Sequence, residues 1–149
     1  MFLIRYILIS VLLSLNLVIL APILLFGAAL RSIWSAKRWL FFWSAWIRCI
    51  YLTWIDGNRW LLQNLLPTEW VVEGTGDLSL DVSYLMLCNH TASIDILVLH
   101  SIFERKVPHQ KYFMKQSLLW MPFAGQVCWA LDYIFIRRFT LSQIRRNPG

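Results

Sequence analysis

The fold is decided by Tyr84-Leu-Met-Leu-Cys-Asn-His-Thr-Ala-Ser-Ile-Asp95, where an apolar run passes directly into polar residues. The run predicts a buried strand, and Ser93 with Asp95 is typical of the N-cap and first turn of a helix. At such a junction the backbone turns sharply, so His90 can point into a cleft while Asp95 reaches back towards it. A carboxylate bonded to one imidazole nitrogen leaves the other nitrogen free to take a proton, as in a general base. The stretch therefore indicates a catalytic His90–Asp95 pair, and a polar loop histidine beside an ordinary helix cap is the alternative.

Short strands and helices alternate on both sides of this junction. The predicted strands are residues 69–73, 82–88, 111–115 and 133–137. The predicted helices are residues 93–104 and 117–131, the second of them interrupted by Pro122 and Gly125. Such alternation predicts an α/β fold with a partial, mostly parallel sheet and flanking helices. Ligands bind these sheets at the carboxyl ends of the strands, and both His90 and Arg138 follow the end of a predicted strand.

The N-terminal part is apolar enough to anchor the chain in a membrane. The whole chain is 58% hydrophobic with a mean hydropathy of +0.56. Arg5 and Arg31 enclose residues 6–30, which are 25 uncharged residues. About 20 apolar residues suffice to cross a bilayer, whereas the apolar region of a signal peptide is only about 7–15 residues long. The sequence therefore predicts a retained membrane span at residues 6–30.

Residues 32–66 carry six of the nine tryptophans, and tryptophan prefers the headgroup level of a membrane. On a helix, the polar residues Lys37, Ser44, Arg48 and Arg59 share one narrow stripe. A full span would bury Arg48 near the midplane, at a cost of about 2.5–3.5 kcal/mol. We therefore favour a helix that lies in the interface, with a second membrane helix as the alternative. Residues 1–66 are predicted to be the anchor.

Basic charge is concentrated in this anchor. Residues 1–66 hold six Lys and Arg residues and one acidic residue, whereas residues 67–149 hold eight basic and seven acidic residues. Anionic headgroups attract a basic segment beside a membrane, and a nucleic-acid-binding protein would carry the charge on its folded domain. We therefore expect membrane lipid and no nucleic acid as a partner. The basic residues that flank the predicted span place residues 67–149 in the cytoplasm.

Three stretches resemble motifs of the glycerophospholipid acyltransferase family, particularly its lysophosphatidic acid acyltransferase branch. His90-Thr-Ala-Ser-Ile-Asp95 matches the family's His-x4-Asp signature. Lys111-Tyr-Phe-Met-Lys115-Gln-Ser-Leu-Leu-Trp-Met-Pro-Phe-Ala-Gly125 is similar to its lysine-bearing strand and proline-containing helix. Phe135-Ile-Arg-Arg138 resembles the Phe-Ile-x-Arg core of its second motif, although Asp132 stands where that motif usually has glycine. The likeness covers roughly residues 68–140, so residues 67–149 resemble the N-terminal part of an acyltransferase domain.

This resemblance implies transfer of a fatty acyl group from acyl-CoA or acyl carrier protein to the hydroxyl of a lysophospholipid. His90 would then be the general base and Asp95 would orient it. Arg138, with Arg137 and Lys115, would hold the acceptor phosphate, for which guanidinium groups are well suited. A basic surface that touches anionic lipid is the alternative for the two arginines. A thioester is already activated, so we expect no metal or other cofactor. The expected location is the bacterial inner membrane.

Two further motifs of the family, Glu-Gly-Thr/Ser-Arg and a proline-centred one, lie downstream of the second motif. The sequence after Arg138 contains neither. Glu73-Gly-Thr-Gly76 imitates the first of them, but it precedes His90 and has glycine in place of arginine, so it is interpreted as a turn. We therefore expect the 149 residues to bind membranes and to show little turnover alone. The alternative function is a truncated, non-catalytic, membrane-anchored remnant or interaction module of that family.

Overall fold

The computed structural model describes residues 2–66, 68–89, 91–92 and 94–137. The chain divides into two compact units, Met1–Gln110 and Lys111–Gly149. The first contains the helices α1 (Phe2–Ile33), α2 (Lys37–Leu65) and α3 (Ile94–Phe103). The second contains strand β1 (Phe113–Lys115), a 3₁₀ helix (Gln116–Trp120), helix α4 (Ala124–Ala130) and strand β2 (Ile134–Ile136). The predicted α/β class, with N-terminal helices and a partial parallel sheet, is confirmed.

Helices α1 and α2 pack against each other in opposite directions. Near the connection between them, Trp39 Nε1 donates a hydrogen bond of 2.7 Å to the Leu30 carbonyl. Towards the other end, Asn16 Nδ2 donates to the Trp54 carbonyl at 3.0 Å and to Asn58 Oδ1 at 2.8 Å. Hydrogen bonds between polar side chains of otherwise apolar helices fix their register. Helix α1 is long and apolar enough, by length and composition, to cross a membrane.

Two charged residues of α2, Arg48 of the predicted polar stripe and Asp56, meet charged residues after the end of α3. Arg48 Nη2 lies 3.6 Å from Glu104 Oε1, and Arg105 Nη2 lies 2.7 Å from Asp56 Oδ2. The charges in the middle of α2 are therefore paired within the protein. By contrast, Phe41 and Phe42 in its first part are exposed. The helix predicted within residues 32–66 is confirmed, and its position relative to a membrane stays a prediction.

The prediction of strands at residues 69–73 and 82–88 is wrong. Both segments are irregular, and the only extended ladder among the described residues joins β1 to β2. Leu85 and Leu87, in the apolar run, are 82% and 88% exposed. A strand is stable only beside a hydrogen-bonded neighbour, and neither segment pairs with one. The turn predicted after residue 73 is confirmed, with Gly74 at φ +71°, a backbone conformation that glycine adopts readily.

The other predicted elements are confirmed with shorter bounds. Helix α3 occupies most of residues 93–104, β1 forms the last three residues of the strand predicted at 111–115, and β2 forms the centre of the strand predicted at 133–137. The pair is parallel, with Phe113 opposite Ile134 and Lys115 opposite Ile136. The helical stretch predicted at 117–131 divides at Pro122 into the 3₁₀ helix and α4. Proline has no N–H to donate and disfavours helical geometry in the residue before it, which explains the division.

Candidate functional site

Asp95 holds the backbone that follows His90. Helix α3 begins at Ile94, so Asp95 lies in its first turn, and the half-buried carboxylate points back along the chain. Its Oδ2 accepts hydrogen bonds of 2.8 Å from the N–H groups of Thr91 and Ala92. A carboxylate at a helix N-terminus is also stabilised by the helix dipole. Asp95 thus fixes the two residues after His90, and its approach to the His90 imidazole stays a prediction.

The opposite end of α3 is fixed by a buried carboxylate. Glu104 directly follows the helix and is 8% exposed. The hydroxyl of Tyr51, a fully buried residue of α2, lies 3.4 Å from Glu104 Oε2, and the Arg48 guanidinium lies beside Oε1. The rings of His100 and His109 pack edge-on against Tyr51, with centroids 5.8 Å and 4.8 Å from it. This Glu104 cluster joins α3, which carries Asp95 at its start, to α2.

The Glu104 cluster was not predicted from the sequence. The available signal was Arg48 itself, because an arginine in an apolar helix requires an anionic partner when it is not solvated. Burial raises the pKa of the Glu104 carboxyl, opposed by Arg48 and by the Tyr51 hydroxyl. Burial also lowers the pKa of His100 to about 4, with a contribution from His109. His100 is therefore neutral at physiological pH.

A Glu104→Gln variant is expected to be within about 1 kcal/mol of the wild type at neutral pH, because the amide avoids burial of a charge. A raised pKa in the folded state means that the contribution of Glu104 to stability falls as the pH rises through that pKa. The variant should lose this part of the pH dependence. The free energy of unfolding in detergent, measured at several pH values from 4 to 8, gives this pH dependence, and Glu73→Gln at an exposed position is the control. An unchanged pH dependence in Glu104→Gln would contradict the interpretation.

Lys115 and Arg137 lie at the same edge of the parallel pair. Lys115 is the last residue of β1, opposite Ile136, and Arg137 directly follows β2. The carboxyl ends of parallel strands are where ligands of α/β sheets bind. The structure therefore places Lys115 and Arg137, for which the family resemblance implies phosphate binding, at the same end of the strand pair.

Asp132 ends helix α4 in a left-handed backbone conformation, with φ +59°. The Tyr133 N–H donates to the Cys128 carbonyl at 3.0 Å, and the Asp132 N–H donates to the Trp129 carbonyl at 3.0 Å. This pair of bonds defines a Schellman motif, in which the left-handed position is usually glycine. Asp is among the few other residues that tolerate this conformation. Asp132 can therefore stand where the family motif usually has glycine, because it tolerates the same left-handed backbone conformation.

Substitutions at Asp132 should follow this backbone requirement. Asp132→Gly and Asp132→Asn should unfold within about 1 kcal/mol of the wild type, since both residues adopt positive φ readily. Asp132→Val should cost roughly 1–2 kcal/mol or more, because its branched Cβ meets the following carbonyl. Chemical unfolding of the three variants measures the order. Equal stability of Asp132→Val and Asp132→Gly would show that the conformation is not required.

The remaining predicted site residues, His90 and Arg138, lie outside the described residues. Asp95 belongs to the first unit, whereas Lys115 and Arg137 belong to the second. Burial raises the pKa of the Cys128 thiol to about 11, which disfavours the reactive thiolate. Among the described residues, no group of three potential metal ligands is arranged to hold an ion.

Comparison with known proteins identifies a family for the second half of the chain. The model of the family described as Acyltransferase matches residues 69–147, which is more than half of the 149 residues. No curated protein and no solved structure matches the chain. The match includes Asp95, Lys115 and Arg137, together with His90 and Arg138.

Proposed function

This chain belongs to the acyltransferase family, and from that premise we propose that it transfers a fatty acyl group to a lysophospholipid such as lysophosphatidic acid. The acyl donor in this proposal is acyl-CoA or acyl carrier protein. The observation that carries it is the carboxylate of Asp95, which holds the peptide groups next to His90 within the family-matched segment. That is the location at which a general base and its orienting group are needed.

In the proposed reaction His90 takes the proton of the acceptor hydroxyl as its oxygen attacks the thioester carbonyl. The new C–O bond forms, the C–S bond breaks, and the imidazolium returns the proton to the departing thiolate. Asp95 orients His90 and stabilises the imidazolium. The thioester is already activated, so this sequence of steps requires no metal or redox cofactor.

The acceptor phosphate is proposed to bind at the edge formed by Lys115 and Arg137, with Arg138 next in the chain. Three cations suit a phosphate monoester, because charge-assisted hydrogen bonds are among the strongest polar contacts. Arg137 and Arg138 also supply planar groups that bind two phosphate oxygens at once.

The chain is proposed to work at a membrane, where its acceptor and product reside. Helices α1 and α2 pack as an antiparallel pair, so we propose that they bind the membrane together as one hairpin. The pairing of Arg48 with Glu104 supports a position in which the middle of α2 stays near the polar interface. The proposed location is the cytoplasmic face of the bacterial inner membrane, supported by the basic residues of 1–66.

The test is product formation from labelled acyl-CoA or acyl carrier protein and lysophosphatidic acid in lipid vesicles. It should be run on residues 1–149 and on the longest product of the same reading frame. Turnover in either form supports the proposal. Membrane binding without turnover in both forms would instead favour the non-catalytic remnant or interaction module, which retains the anchor but not the reaction.

Arg138→Ala should raise the KM for lysophosphatidic acid about 10- to 100-fold, as expected for loss of a charge-assisted hydrogen bond worth roughly 1.5–3 kcal/mol. Lys115→Ala should act in the same direction. The KM for the acyl donor should change little in either variant. Lys111→Ala is the matched control, because Lys111 precedes β1, whereas Lys115 ends it. A selective rise in the KM for the acyl donor would contradict this role.

A further inference from the structure

A cluster of large apolar side chains is exposed where the 3₁₀ helix of the second unit turns into α4. Trp120 is 82% exposed, Met121 46% and Phe123 39%. Pro122 lies between them and is also exposed. We call residues 120–123 the apolar turn. Exposure of several adjacent large apolar residues is unusual for a surface in contact with water alone, and marks a surface that meets a partner.

The apolar turn is held in shape by a strained backbone. Phe123 has φ 61° and ψ −56°, and the Ala124 N–H donates to the Pro122 carbonyl at 2.7 Å. These are the features of the rare γ-turn with positive φ. The turn is closed by Gly125, where an added Cβ would overlap the carbonyl oxygens of Leu118 and Leu119. Strain of this kind persists only where the surroundings fix it, and it is concentrated at functional sites.

Charge around the apolar turn indicates the kind of partner. Residues 111–149 carry six Lys and Arg residues and one acidic residue, whereas residues 67–110 carry two basic and six acidic residues. The basic charge of the family-matched part is therefore concentrated in the second unit. Exposed Lys115 directly precedes the 3₁₀ helix that leads to the turn. Exposed lysine in the same unit as an exposed tryptophan suits anionic headgroups, among which tryptophan rings are favoured.

We propose that the apolar turn is a second membrane contact, separate from the α1–α2 hairpin, and that it inserts Trp120, Met121 and Phe123 into the headgroup region of an anionic bilayer. The lysines on the same unit draw it to the surface, and the apolar side chains bind there. A hairpin held in the same membrane would raise the effective concentration of lipid around this unit, so a weak contact suffices. The contact concerns docking and does not depend on acyl transfer.

The test places an environment-sensitive fluorophore on the whole chain in vesicles. Cys49, Cys88 and Cys128 are replaced by Ala, and a single cysteine is introduced as Met121→Cys for labelling. The matched control is Asp77→Cys, at an exposed polar turn of the first unit. Vesicles are made of phosphatidylcholine alone or with phosphatidylglycerol, with or without spin labels on the lipid chains.

We expect the label at position 121 to shift to the blue and to be quenched several-fold by spin-labelled lipid in anionic vesicles. Quenching should be weaker in phosphatidylcholine alone, and the label at position 77 should remain in water in both. Adding Trp120→Ser and Phe123→Ser should reduce the quenching at position 121. Equal exposure of both labels to water would overturn the proposal. So would a blue shift without lipid quenching, since it would mean that protein covers the turn.

Discussion

His90→Ala is expected to lower turnover roughly 10²–10⁴-fold, the range contributed by a positioned general base, while membrane association stays intact. Without the imidazole, the acceptor hydroxyl has no group to take its proton as it attacks the thioester. The KM values should change little, because His90 is assigned to the reaction step and not to holding phosphate. Steady-state kinetics with acyl-CoA and lysophosphatidic acid in vesicles, on the most active product of the reading frame, measures the effect.

Asp95→Asn provides the graded comparison for His90→Ala. The amide retains an oxygen that can accept hydrogen bonds from the Thr91 and Ala92 N–H groups, so the start of α3 should remain folded. It lacks the negative charge that stabilises the imidazolium and sets the imidazole tautomer. Its rate should therefore lie between those of the wild type and His90→Ala. Near-normal turnover of His90→Ala, with folding and membrane binding unchanged, would end the general-base proposal.

The sequence predicted elements whose signals are local. Pro122 correctly indicated an interruption of the helix at 117–131, whereas Gly125, predicted to interrupt it as well, lies inside α4. Strands β1 and β2, which flank this stretch, form because each is the hydrogen-bonded neighbour of the other. The apolar run at 82–88 carried an equally clear local pattern and forms no strand. A pattern records side-chain periodicity, whereas a strand also needs a hydrogen-bonded neighbour, which no local pattern specifies.

The site was predictable to the extent that its chemistry lies in short motifs. Asp95 was correctly placed in the first turn of α3, whereas its approach to the His90 imidazole stays a prediction. The Glu104 cluster was missed because Arg48, Tyr51 and Glu104 are far apart in the sequence and meet only through the packing of α2 on α3. The conformation of Asp132 was equally hidden, since a residue name does not reveal a positive φ. The geometry of His90 and Arg138 stays a prediction.

Gly125→Ala is expected to be the most destabilising single methyl addition in the second unit. The new Cβ would overlap the backbone carbonyl oxygens of Leu118 and Leu119, which cannot rotate away as a side chain does. Overpacking typically costs about 1–3 kcal/mol and more where the backbone must move. Alanine gains only about 1 kcal/mol over glycine in a helix, so the clash dominates. The 3₁₀ helix and α4 should separate, and hydrogen exchange should accelerate across residues 116–130.

Gly76→Ala separates this clash from the general effect of adding a methyl group. No atom lies within 4 Å of a Cβ placed at Gly76, so this variant should unfold within about 0.5 kcal/mol of the wild type. The effect of Gly125→Ala should also extend to the site, because the 3₁₀ helix directly follows Lys115 and α4 leads towards β2. Loosening both would disturb the edge that carries Lys115 and Arg137, and the KM for the acceptor should rise with the loss of stability. If Gly125→Ala matched Gly76→Ala in unfolding and hydrogen exchange, the close approach at Gly125 would not be a requirement of the fold, and the shape of the apolar turn would need another cause.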